Sequence, residues 1–247
     1  MARKSLIGAE PVGAEAVDSA VRRLFADLLA YYGPQHWWPA ETPFEVIVGA
    51  ILTQATAWRN VEQAVNRLKK AGLLDPERLA EIDPAGLADV VRPAGYPRVK
   101  ASRLKAFVAA LRRDFGSLDN LLGADPERLR AWLLSVPGIG PETADSILLY
   151  AARRPYFPVD AYTRRLFLRY GVLSEPRPYD GIRRLVEEAL GPDPAVLGEF
   201  HALIVAHGKA VCRKRPRCEV CPVRAGCRYW LGAEGVGFEP TMGLSTP

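Results

Sequence analysis

The sequence predicts an all-α fold. Apolar residues recur at three- and four-residue spacing along most of the chain, and no stretch keeps the alternation of a half-buried strand. Helix-start signals also recur, with Pro directly after a capping residue at Thr42-Pro43, Asp75-Pro76, Asp83-Pro84 and Asp125-Pro126. With 247 residues, 49% of them hydrophobic, the chain can bury one sizeable core or two modest ones. Lys and Arg number 33 against 28 Asp and Glu, a net charge of +5, which favours a polyanion over an acidic protein or a small anion as partner. No apolar run is long enough to cross a membrane, and Met1-Ala2-Arg3-Lys4-Ser5 is not followed by the apolar core of a secretory leader. A soluble, cytoplasmic protein with no membrane partner is expected.

Residues 1–13 read as a loose polar arm. Over 14–32, Val17, Val21, Leu24, Phe25, Leu28 and Leu29 share one face of a helix that Gly33-Pro34 ends. The loop that follows carries adjacent tryptophans, Trp37 and Trp38, suited to lid a core or to stack on a base, a contact that contributes about 1–3 kcal/mol in nucleic-acid sites. The capping box Thr42-Pro43-Phe44-Glu45 opens a helix over 44–53 that is apolar nearly all round and therefore central. It ends at Gln54-Ala55-Thr56, a junction from which Gln54 can project. A helix to about residue 70 follows, with Val61, Ala64, Val65 and Leu68 inward. Farther on, the turn Arg92-Pro93-Ala94-Gly95-Tyr96-Pro97 precedes a helix bearing Arg98, Lys100, Arg103 and Lys105. That basic face reads as solvated, and able to meet phosphates.

The chain is organised around 134–165. Val136-Pro137-Gly138-Ile139-Gly140 is a tight turn between two helices, with Trp132, Leu133 and Val136 leading in and Ala144, Ile147, Leu148 and Ala151 leading out. Two glycines one residue apart permit a sharp turn and remove the Cβ atoms that would hold another chain away, so that amides can face a phosphate oxygen. Twenty positions on stands Asp160, either an N-cap or a carboxylate held at the mouth of a cleft. Helices are expected from Asp160 to Gly171, over 179–190 and over 195–211, and the Gly-rich stretch 231–247 reads as disordered.

All four cysteines follow the last long helix as Cys212-x5-Cys218-x2-Cys221-x5-Cys227. Their concentration in one loop, in a chain with no leader, argues for metal rather than disulfides, and four thiolates suit zinc as well as iron-sulfur. Arg213, Lys214, Arg215 and Arg217 lie between the first two.

The order of hairpin turn, Thr-Ala helix, Val-Asp pair and cysteine loop resembles the helix-hairpin-helix DNA glycosylase superfamily, specifically the endonuclease III family. The resemblance spans roughly residues 14–230. It implies two helical lobes, 14–42 with 155–230 and a six-helix barrel over 43–154. In the family the hairpin grips the DNA backbone, which assigns Gly138 and Gly140 to DNA binding, and the Asp equivalent to Asp160 is catalytic. Gln54 matches a residue that wedges into the duplex, and Tyr96 or Pro97 a second wedge. The cysteine spacing resembles that family's x6-x2-x5 loop, one residue shorter, with His207-Gly208-Lys209 like its His-Gly-Arg approach. This implies a 4Fe-4S cluster on Cys212, Cys218, Cys221 and Cys227, with Lys209, Arg213 and Lys214 against the DNA. Zinc stays a rival. Bifunctional members carry a Schiff-base Lys where this chain has Glu142, which implies hydrolysis of the glycosyl bond without strand cleavage.

The tryptophan loop, the Phe44 helix and the hairpin are most similar to the 3-methyladenine branch, which implies an alkylated purine flipped from double-stranded DNA by a monomeric enzyme. Trp37, Trp38, Phe44, Glu142 and Tyr162 are the expected base-pocket residues. The family has Asn where this chain has Ala55. A pyrimidine-damage or mismatch glycosylase and a non-catalytic DNA-binding module are the alternatives.

Overall fold

A computed structural model of the chain describes residues 14–235, and these are all-α, as the periodicity predicts. Thirteen α-helices are formed among the described residues: α1 (Ala14–Tyr32), α2 (Pro43–Leu52), α3 (Trp58–Lys70), α4 (Pro76–Glu81), α5 (Pro84–Val91), α6 (Pro97–Asp114), α7 (Leu118–Leu122), α8 (Pro126–Ser135), α9 (Pro141–Ser146), α10 (Ala161–Tyr170), α11 (Tyr179–Leu190), α12 (Pro194–Ala210) and α13 (Arg228–Gly235). The predicted caps start them. Thr42 accepts from the Glu45 amide at 3.1 Å, while the Glu45 carboxylate reaches back to the amide of Glu41 at 3.0 Å. Asp75, Asp83 and Asp125 each accept amides in the first turn of the helix they precede.

The described residues divide into two compact units, one of residues 14–35, 160–190 and 202–235, the other of residues 36–159 and 191–201. In the second, α2 is the core element, with every residue from Phe44 to Leu52 buried, as its all-round apolar sequence requires. α5 packs on α6 and α3 on α2 around it. The lobes expected from the sequence are drawn differently at 36–42, 155–159 and 191–201; at the first of these, Trp37 packs its ring on Trp58, and Trp38 on Trp58 and Tyr150. In the first unit α1 packs on α11, burying Val21, Leu24 and Leu28 on one helix and Ile182, Val186 and Ala189 on the other.

Two features of the sequence reading need correction. α13 continues to Gly235, so the stretch expected to be disordered from residue 231 begins as helix, and its remainder lies outside the described residues. The loose arm of residues 1–13 also lies outside them. The basic face of α6 is in part interior. Lys100 is 1% exposed and donates to the carbonyls of Leu52 (2.7 Å) and Ala94 (2.5 Å) and to the Thr56 hydroxyl. Lys105 donates to the carbonyls of Leu79, Ala80 and Ile82 at 3.2, 2.7 and 2.5 Å. Helix ends leave carbonyls without intrahelical donors, and an ammonium with three N–H bonds satisfies several at once. Burial, with Arg103 nearby, lowers the Lys100 pKa to about 8.

Candidate functional site

The hairpin turn lies between α8 and α9, and Ile139 closes it by donating to the Val136 carbonyl at 3.1 Å. Its two glycines serve different ends. Gly138 has φ +86°, a left-handed conformation, and a Cβ there would come 2.5 Å from Cγ of Arg103. Gly140 has an ordinary φ of −95°, and no atom of the chain lies within 4 Å of where its Cβ would be. Folding therefore demands glycine at 138 and leaves 140 open to approach from outside. Among the described residues the amides of Gly138 and Gly140 meet no acceptor.

Gln54 is tied to this turn. Its side-chain nitrogen donates to the Gly138 carbonyl and the Thr143 hydroxyl, both at 2.9 Å, and its oxygen accepts from Arg103. These three bonds hold Gln54 on the turn. The neighbouring Ala55 has φ 52°, a region better suited to the Asn that the family carries there. Tyr96, the residue that caps α6, also has a left-handed φ, 46°, and is 68% exposed.

Asp160 is the N-cap of α10. One carboxylate oxygen accepts the Thr163 amide at 2.7 Å and the Thr163 hydroxyl at 2.9 Å. Thr163 is fully buried and Asp160 is 8% exposed, so the carboxylate is held in one orientation.

The expected base-pocket residues are distributed between the units. Trp37, Trp38 and Trp58 form a mutual cluster with centroid separations of 5.1–5.8 Å, Trp38 lying also over Gly49 and Tyr150. Phe44 is 3% exposed, so its ring belongs to the core of α2 and offers no face to a base. Glu142 is exposed in the first turn of α9. In the other unit, Tyr162 lies against Gly208, where any side chain would collide with its ring, and under the Arg165 guanidinium at 5.1 Å.

All four cysteines are free thiols lining one cavity of about 20 Å³, together with Arg169 and His207. Among the described residues no three metal-binding side chains draw together tightly enough to share one ion. Burial is the main cause raising the pKa values of Cys218, Cys221 (to about 11) and Cys227, with neighbouring thiols adding to it. A bound cationic group reverses that preference by holding the thiolates. His207, brought to about 4 by burial, stands with one ring nitrogen 3.0 Å from the Tyr32 hydroxyl and the other 3.8 Å from the Cys221 sulfur. Arg169 fixes the basic loop, donating to the carbonyls of Arg213 (2.6 Å) and Lys214 (2.9 Å) and approaching the Cys212 sulfur at 3.5 Å. Arg165 adds a bond to the Cys212 carbonyl at 2.8 Å. Lys209, Arg213 and Lys214 are exposed.

The family model described as HhH-GPD superfamily base excision DNA repair protein matches residues 48–192, a span that includes the hairpin and Asp160. The chain belongs to the HhH-GPD superfamily. It is a DNA repair glycosylase, acting on N-glycosyl bonds. The DNA repair glycosylase of Methanocaldococcus jannaschii is 46% identical over 84% of this chain and 95% of that protein. Endonuclease III of Sulfolobus acidocaldarius is 32% identical over 76% and 82%. Among solved structures, the 3-methyladenine DNA glycosylase of H. pylori bound to 1,N6-ethenoadenine has a TM-score of 0.67 at 31% identity, over 78% of this chain and 97% of that one. A non-covalent endonuclease III–DNA complex shares the fold at a TM-score of 0.75 and 18% identity, over 89% and 99%. The HhH-GPD match ends before the cysteine loop, whose reading stands on its own spacing and burial.

Sequence reasoning missed Trp58, Thr163 and the contacts of Arg103, which it read only as part of a basic face. Thr163 had a signal, since a hydroxyl three positions after an N-cap Asp can share its carboxylate. Trp58 and Arg103 had none, being separated from their partners by tens of residues.

Proposed function

We propose that this HhH-GPD glycosylase extrudes an alkylated purine such as 3-methyladenine from double-stranded DNA and hydrolyses its N-glycosidic bond without cutting the strand. The carrying observation is an oriented carboxylate at Asp160 together with Glu142 at the position where bifunctional relatives need an amine. Asp160 stabilises the positive charge that develops on the sugar as the base departs with the bonding electrons, and directs water to the vacated carbon. A glutamate forms no imine, so Glu142 opens no lyase route. Alkylated purines are cationic and leave without strong acid catalysis, so stacking and cation-π attraction from Trp37 and Trp38 suffice to select them. The 31% identity to a glycosylase named for 3-methyladenine supports the substrate class. The identity to endonuclease III favours pyrimidine damage as the second reading. Mass analysis of the free bases released from methylated, oxidised and deaminated duplexes separates the two. Methylated purine is expected, and release of oxidised pyrimidine alone counts for the second reading.

Gly138 and Gly140 present the turn to the DNA backbone in this reading, and Gln54 and Tyr96 flank it. Gly140→Leu tests this cleanly because nothing in the fold occupies the space. One hydrogen bond to a charged acceptor contributes about 1.5–3 kcal/mol, so losing the turn's grip should weaken binding to every duplex by about tenfold or more, with thermal stability unchanged. Undiminished affinity would count against the turn as a DNA clamp.

Cys212, Cys218, Cys221 and Cys227 would hold a 4Fe-4S cluster. All four line one cavity, which suits a shared metal group, and the x5-x2-x5 spacing, one residue short of the endonuclease III x6-x2-x5 loop, favours the cluster over a single zinc. The group would supply rigidity to the loop, whose positive charge is that of Arg213 and Lys214, and Arg169 and Arg165 hold that loop from α10. Purified protein should be brown and contain about four irons per chain by elemental analysis. Colourless protein with one equivalent of zinc would overturn the assignment.

A further inference from the structure

We propose that Arg103 is the positioning residue of the hairpin turn, fixing the amides of Gly138 and Gly140 through Gln54 without itself touching DNA. The inference rests on the reading of the turn as a backbone clamp. Four observations support it. The stem of Arg103 fills the space a side chain at 138 would need, with Cγ 2.5 Å and Cδ and Nε 2.7 Å from that virtual Cβ. Its guanidinium donates to the Gln54 side-chain oxygen. The Gln54 nitrogen bonds the Gly138 carbonyl before the Ile139-Gly140 step and the Thr143 hydroxyl after it, each at 2.9 Å. Thr143 is 8% exposed in the first turn of α9, so that end of the clamp is anchored in the core.

These contacts close a ring around the turn. The peptide between Gly138 and Ile139 cannot rotate without breaking the Gln54 bond or driving into the arginine stem. A glycine at φ +86° has access to many other conformations, so an external constraint is what selects one. The anchor is rigid because Lys100 and Lys105 hold α6 to carbonyls of three other segments. Amides fixed before DNA arrives spend no binding free energy on ordering.

The test uses the full-length protein, with an undamaged duplex for affinity and a methylated duplex for base release. Arg103→Met keeps the stem beside Gly138 and removes the guanidinium. Arg103 also borders a cavity of about 230 Å³ with Gln54, Ala55, Tyr96 and Val99, so the shorter side chain displaces no neighbour. Affinity should fall on the order of tenfold, the scale of one hydrogen bond to a charged acceptor, while the slope of log affinity against log salt stays within half a unit of wild type. Single-turnover base release at saturating enzyme should stay within about threefold, since the chemistry is untouched. In the free protein, exchange of the Ile139 amide, which donates to the Val136 carbonyl inside the turn, should accelerate in Arg103→Met and equally in Gln54→Ala, and the double variant should be no faster than the singles.

A slope reduced by about one unit would make Arg103 a direct phosphate ligand and overturn the proposal, as would unchanged exchange at Ile139. If Gly140→Leu weakens DNA binding and Arg103→Met does not, the positioning role alone fails. If Gly140→Leu leaves binding intact, the clamp reading fails and takes this inference with it.

Discussion

Asp160→Asn should abolish base release while leaving the binding of damaged DNA in place. Asparagine is as good an N-cap as aspartate, and its side-chain oxygen can still accept the Thr163 amide and hydroxyl that Asp160 accepts at 2.7 and 2.9 Å. α10 therefore keeps its start, and the substitution isolates the charge. Losing an electrostatic stabiliser of a developing charge costs at least about two orders of magnitude in rate. The wild-type product should carry intact abasic sites that break only under alkali, and borohydride should trap no covalent adduct, since Glu142 has no amine to form one. Full activity in Asp160→Asn would remove the carboxylate from the mechanism, and trapping by wild-type protein would mean that another amine attacks the sugar.

What the sequence made legible was local. The caps at Thr42, Asp75, Asp83 and Asp125, the glycine turn and the all-round apolar α2 each depend on residues within a few positions of one another, and each appears in the structure as read. Lys100 shows where that reasoning stops. Its helical neighbours Arg98 and Arg103 suggest a solvated basic face. The three acceptors that bury it belong to Leu52, Thr56 and Ala94, brought together only by packing of α6 against the ends of α2 and α5. Phe44 fails in the opposite sense. It occupies a plausible pocket position, but a helix buried on every side leaves it no open face. Gln54 was legible as a polar residue at a helix junction. Its three partners, near positions 103, 138 and 143, were not, because hydrogen bonds across that much chain leave no periodic trace.

The helices on either side of the turn are joined by a contact of the same long-range kind, and breaking it should produce the largest loss of stability available near the site. Arg130 of α8 meets Asp145 of α9 through two bonds, 2.7 and 3.2 Å, with Asp145 wholly buried and Arg130 16% exposed at its side chain. The two partners are not equivalent. Arg130→Leu leaves a carboxylate in the core without its guanidinium, a loss of about 3–5 kcal/mol. Asp145→Asn should be milder, because the guanidinium lies near enough to solvent to be rehydrated. Converting both to leucine should recover most of the loss, since a buried pair is often no more stable than apolar residues of similar volume. In thermal melts, Arg130→Leu should therefore lower Tm by roughly 10 °C for a chain of this size, and the double variant by much less. Because Arg130 and Asp145 sit on opposite sides of Gly138 and Gly140, the single variant should also weaken duplex binding while leaving its salt slope unchanged. A Tm within 2 °C of wild type, on the order of 1 kcal/mol or less, would show that the pair does not hold the hairpin together.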